Sequence, residues 1–92
     1  MRLRLTRTAA RQLDRVLTGI AAESPQGARN VQERIRDVMH LLLQYPYAGQ
    51  ATERPGIRRM VVSPYPYLLT YRVGEGEIVI RTVRHGARKP LA

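Results

Sequence analysis

Beyond the first six residues, the apolar residues of this chain change period once, and the change falls near residue 45. Before it, Leu13, Val16, Leu17 and Ile20 recur at i, i+3, i+4 and i+7, and Ala28, Val31, Ile35, Val38, Met39 and Leu42 form a second stripe of the same kind. That is the spacing of one helix face. After it, the segments 57–62, 67–73 and 77–84 are rich in Val, Ile, Leu and Tyr, and are separated by Ser63-Pro64-Tyr65-Pro66 and Gly74-Glu75-Gly76. Short apolar runs between such breakers are strands, and the second break is a hairpin turn. Helices first and strands last, with one early strand, point to an α+β domain.

The ends of the elements can be placed. Leu3 and Leu5 alternate with Arg2, Arg4 and Thr6, as in a short strand over residues 1–6 with one wet face. Thr6 or Thr8 can cap a first helix over 7–22, whose other face carries Arg7, Arg11, Asp14 and Arg15. Ser24-Pro25 pairs an N-cap with a proline suited to the first helical position, so a second helix starts there and stops near Gln44, ahead of Pro46. A loop of three or four residues between two amphipathic helices makes them an antiparallel hairpin. Residues 46–56 read as loop. The expected order is β-α-α-β-β-β over a single domain, 1–92, with the helical hairpin on one face of a small, mainly antiparallel sheet. On the last strand, period 2 puts Ile78 and Ile80 on one face, and Val79, Arg81 and Val83 on the other.

Composition excludes much chemistry. The chain has 92 residues and no cysteine, so disulfides, thiolate nucleophiles and cysteine-ligated metals are impossible. His40 and His85 have no partner at ligand spacing, so neither a metal nor another cofactor is expected. His40 reads as a structural or surface residue of the second helix, and Tyr67, Tyr71 and Val73 as core or core rim. No phosphate-binding glycine loop, nucleophile elbow or metalloprotease motif occurs. Sixteen Lys and Arg against seven Asp and Glu give a net charge of +9 and a pI near 11.3, which call for a polyanionic partner. Fifteen of the sixteen are Arg, suited to bidentate contact with phosphate or carboxylate. With no run of eighteen apolar residues and no signal peptide, a cytoplasmic protein away from membranes is expected.

Five local patterns occur in order: Tyr45-Pro46 closing the second helix, Pro55-Gly56-Ile57-Arg58, Tyr65-Pro66-Tyr67, Tyr71-Arg72-Val73, and Arg84-His85-Gly86-Ala87-Arg88. Over nearly its whole length the chain resembles the ParE/RelE superfamily of bacterial toxins. The resemblance implies the toxin of a type II toxin–antitoxin module of plasmid-stabilisation type, held inactive by a cognate antitoxin whose C-terminal segment wraps around it. RelE-like members are ribosome-dependent mRNA endoribonucleases. Carried over by position, their strand and terminal residues fall on Arg59, which suits the task, and on Val61, Leu68 and Ala92, which do not. The His85-Gly86-Ala87-Arg88 ending is more similar to ParE-like toxins, which the resemblance links to inhibition of DNA gyrase by binding rather than to an enzymatic activity.

The expected target-binding residues are therefore Arg81, Arg84, His85, Arg88 and Lys89. A ribonuclease with an altered site would rest on Arg59, Arg81, His85 and Arg88. The alternative reading of His85 is a ring that caps the last strand by a backbone hydrogen bond. An acidic, ParD-like antitoxin would lie along an apolar seam of the helices and contact Arg11, Leu13, Arg15, Leu17, Arg34 and Arg58. A third reading needs no family argument: a small basic nucleic-acid-binding module.

Overall fold

Thr6 separates two kinds of backbone. In the computed structural model, which describes residues 1–86, β1 (Arg2–Leu5) ends before this residue and α1 (Arg7–Glu23) begins after it. The Thr6 hydroxyl accepts from the Ala9 N–H at 3.1 Å, so Thr6 and not Thr8 is the cap. Ser24 then serves two helices. Its N–H donates to the Ile20 carbonyl and closes α1, while its Oγ accepts from the Gly27 N–H at 2.9 Å and opens α2 (Pro25–Gln44). The expected loop of three or four residues is a single residue, because one serine satisfies free backbone groups at both helix ends.

Four further strands follow: β2 (Gln50–Ala51), β3 (Ile57–Val61), β4 (Tyr67–Gly74) and β5 (Glu77–His85). The sheet order is β1-β5-β4-β3-β2. β1 runs parallel to β5 and the other pairs are antiparallel. β2 lies where sequence indicates only loop; two residues carry no periodicity, and distant side chains hold them. The buried Tyr71 hydroxyl donates to the Pro46 carbonyl and accepts from the Gly49 N–H, both at 2.8 Å, and an Arg58 Nη donates to the Gly49 carbonyl at 2.8 Å. A side chain at Gly49 has no room: its Cβ would lie 2.5 Å from the Tyr71 hydroxyl and 2.7 Å from the Arg59 carbonyl.

Both helices cover one face of the sheet. Val31, Ile35, Val38 and Leu42 of α2 and Ala9 of α1 join Leu69, Tyr71, Ile78, Ile80 and Val83 in one core. Each large aliphatic side chain contributes about 1.5–3 kcal/mol by leaving water. Val83 corrects the period-2 reading of the last strand. Tyr71 pairs with Ile80 but Thr70 pairs with Thr82, so Arg81 is an extra residue in β5. This bulge shifts the alternation by one. Val83, expected beside Val79 and Arg81, therefore joins Ile78 and Ile80 in the core. Among the described residues, no helix is long and apolar enough to cross a membrane.

Candidate functional site

Among the described residues, no helix covers the opposite face of the sheet, which is rich in arginine. The register places Arg2 and Arg4 of β1, Arg72 of β4 and Arg59 of β3 on this face, since their neighbours Leu3, Leu5, Tyr71, Val73 and Met60 pack into or against the core. Val79 lies between Arg4 and Arg72, its partners on either side, and is only 3% exposed. Flanking arginine stems shield it while their charged ends stay in water. Arg4 also holds the Glu77 carboxylate through Nε at 3.1 Å, and that hydrogen bond lowers the carboxyl pKa from its ordinary value. It is the one ion pair among the described residues.

At the β2 side this face deepens into a cavity of about 550 Å³ lined by Arg54, Arg59, Arg81, Arg84, Thr70 and Thr82, among others. The row Gln50, Arg59, Thr70, Thr82 crosses four strands in register. Arg59 points its guanidinium at the Gln50 side-chain carbonyl, and the Thr70 and Thr82 hydroxyls share a hydrogen bond. In such a pair one hydroxyl donates to the other, whose own proton stays available to a ligand. Glu53 is the one acidic residue of the lining. Guanidinium groups remain charged at all physiological pH values, so the cavity attracts anions but has little capacity to move protons.

The bulge that turns Arg81 into this cavity is held from the other side of the sheet. Thr6, the cap of α1, donates its hydroxyl proton to the Arg81 carbonyl at 3.2 Å, and the Gln12 side-chain carbonyl accepts from the Val83 N–H at 2.7 Å. Side chains from the start of α1 thus satisfy backbone groups next to the extra residue.

The structure brings Arg59, Arg81 and Arg84 together and sets His85 apart. Beyond the bulge, His85 follows the parity of Val83 and lies on the helix side, where its ring meets Tyr67 edge-on at 5.4 Å and 83°. It lines a groove there with Arg15, Val16 and Ile20 of α1. The ring thus packs against tyrosine, and among the described residues no backbone group pairs with it. Arg88 and Lys89 lie outside the described residues. His40 is exposed on α2.

The six residues assigned to an antitoxin are also divided. Arg11 and Arg15 are exposed on α1 and line a shallow depression with Asp14 and Thr18. Leu13 and Leu17 are half-buried and pack against the core, so the apolar stripe of α1 is largely used by its own sheet. Arg34 donates to the Ser63 carbonyl, and Arg58, stacked 5.1 Å above the Tyr47 ring, holds the loop at Gly49. Sequence reasoning missed Arg54, Thr70 and Thr82 as site residues. Alternation against Leu69 and Tyr71 marks Thr70 as outward-facing, but its pairing with Arg59 and Thr82 depends on register.

Residues 3–90 match the family profile described as the ParE toxin of the type II toxin–antitoxin system parDE. The chain belongs to the ParE toxin family. A relative from Sinorhizobium fredii (strain NBRC 101917 / NGR234), named as toxin Y4kP, is 32% identical over 84 residues, which cover 91% of this chain and 86% of that protein. Toxin RelE2 of Caulobacter vibrioides is 34% identical over 65 residues, 71% of this chain and 72% of that one. A solved structure described as a chromosomal ParDE toxin–antitoxin system from P. aeruginosa superposes with a TM-score of 0.80 at 27% identity, covering 92% of this chain and 95% of its own. Membership of the ParE family makes this chain a type II toxin of the ParE/RelE group, with an antitoxin as its partner. Its two helices over a five-stranded, mostly antiparallel sheet are the fold that goes with it.

Proposed function

We propose that this toxin acts by binding, with DNA gyrase as its target, and is silenced by an acidic, ParD-like antitoxin. One observation carries the choice of binding over cleavage. Among the described residues, the lining of the arginine-rich cavity has no His, Tyr, Lys or Cys, and His85 lies on the other face of the sheet. Cleavage of a phosphodiester by RelE-type chemistry needs a base for the 2′-hydroxyl and an acid for the leaving oxygen. Glu53, on the exposed loop at the rim, supplies at most one of these. Arg81 and Arg84 face outward from β5 and suit a target surface; Arg11 and Arg15 on α1 suit the acidic antitoxin.

Supercoiling by purified gyrase tests the target. Inhibition at a stoichiometric excess of toxin is expected, and Arg81→Gln with Arg84→Gln should raise the concentration needed by about tenfold or more, since each removes a charge-assisted contact. Normal supercoiling together with mRNA cut at ribosomal A-site codons would overturn the reading in favour of the endoribonuclease. For the antitoxin, Arg11→Glu with Arg15→Glu should weaken co-purification with the acidic protein.

A further inference from the structure

We propose that the open face of the sheet is a nucleic-acid-binding surface that grips phosphates without cleaving them, centred on the Arg54, Arg59, Arg81 and Arg84 cavity. This goes beyond the gyrase reading and does not depend on it. The face is an array and not a point. Arginines stand on β1 (Arg2, Arg4), β5 (Arg81, Arg84), β4 (Arg72) and β3 (Arg59), across three interstrand steps, or about 14 Å at the usual strand spacing. Over about 14 Å of axis a duplex presents about four phosphates per strand, so repeating negative charge matches repeating positive charge.

The chemistry of the face favours a nucleic-acid backbone over an acidic peptide. A tightly held peptide needs apolar anchors in pockets as well as charge. Here Val79, flanked by Arg4 and Arg72, is buried, and Val61, the one large apolar side chain of this face that is strongly exposed among the described residues, at 51%, lies on β3 outside the cavity lining. The cavity also has no aromatic side chain to stack a base. Contacts are therefore to phosphate, from guanidinium forks and from the free proton of the Thr70–Thr82 hydroxyl pair, and sequence-independent. Arg81, brought into the lining by the bulge, is the central contact.

Fluorescence anisotropy of an end-labelled 20-base-pair DNA duplex of arbitrary sequence, titrated with the purified chain at several salt concentrations, tests this. Arg59→Gln with Arg81→Gln should weaken binding at least about tenfold and reduce the slope of log K against log salt by about two. Arg11→Gln with Arg15→Gln removes the same charge from α1 and should leave most of the binding intact. Equal losses in both double variants would show diffuse attraction and overturn the proposal. So would displacement of the duplex by polyglutamate at equal charge concentration, which would mark a carboxylate site, and so would shortening of a labelled RNA, which would mark a nuclease. Circular dichroism of each variant separates lost contacts from lost folding, and single substitutions replace any double variant that unfolds. A chain that binds DNA as expected yet leaves gyrase untouched sinks the gyrase reading alone.

Discussion

The backbone N–H of Val83 donates to the side-chain carbonyl of Gln12 at 2.7 Å, across a separation of 71 residues. Gln12 is on the first helix and Val83 two residues beyond the extra residue of the last strand. Gln12→Leu should cost about 1–3 kcal/mol, because it strands a partly buried donor. For a domain of this size that lowers Tm by about 4–8 °C per kcal/mol. Gln12→Glu keeps an acceptor and should recover most of the loss. Urea denaturation of the three proteins decides it, and equal midpoints would show that Gln12 does not support the bulge.

Gly49→Ala should destabilise by about 1–3 kcal/mol, since its Cβ would meet the Tyr71 hydroxyl at 2.5 Å and the Arg59 carbonyl at 2.7 Å. Tyr71→Phe removes the first obstacle. The two changes together should cost less than the sum of each alone, which a double-mutant cycle on denaturation midpoints measures. Strict additivity would mean that the hydroxyl does not set the cost, which then lies with the Tyr71 ring carbon Cε1 and the Arg59 carbonyl, each 2.7 Å from the same Cβ.

Burial pushes the Tyr71 hydroxyl above its ordinary value of 10.0, against the opposing effects of Gly49 and Arg58. The folded chain then holds this proton more tightly than the unfolded chain. Stability is full below about pH 10 and falls as pH rises from there toward the folded value. Tyr71→Phe should flatten this alkaline decline while lowering stability at neutral pH. Parallel pH profiles for the two proteins would refute the linkage.

Val83→Thr and Val61→Thr are chemically identical substitutions at positions 2% and 51% exposed. The first buries a hydroxyl and should cost about 1–3 kcal/mol; the second should stay within about 0.5 kcal/mol of the parent. Similar costs would contradict the shift of face at Arg81.

The elements were legible because each has a local cause. Ser24-Pro25 starts α2, Pro46 ends it, and Leu69, Tyr71 and Val73 alternate as a strand should. What stayed hidden depends on partners far away in sequence. β2 exists because Tyr71 and Arg58 hold Gly49. The bulge shows only in pairing, since Ile78 to Val83 alternates without any local sign of an extra residue. That one slip also decided the site. It put His85 on the face opposite Arg59, although period 2 by itself places His85 and Arg81 side by side. Arg34 and Arg58 look like free surface charge in sequence, but both are occupied by backbone carbonyls.

β1 is an edge strand whose sheet neighbour is β5, with Arg2 opposite Glu77 and Leu5 opposite Ile80. During synthesis, residues 2–5 have no strand to join until residues 77–80 have left the ribosome. Domains fold as units as they are made, and contacts this distant in sequence form late. The strand β1, the bulge at Arg81 and the arginine face they complete therefore arise together, once β5 is available. A chain cut short before β5 lacks the surface proposed to bind, so that surface cannot act before β5 has been made.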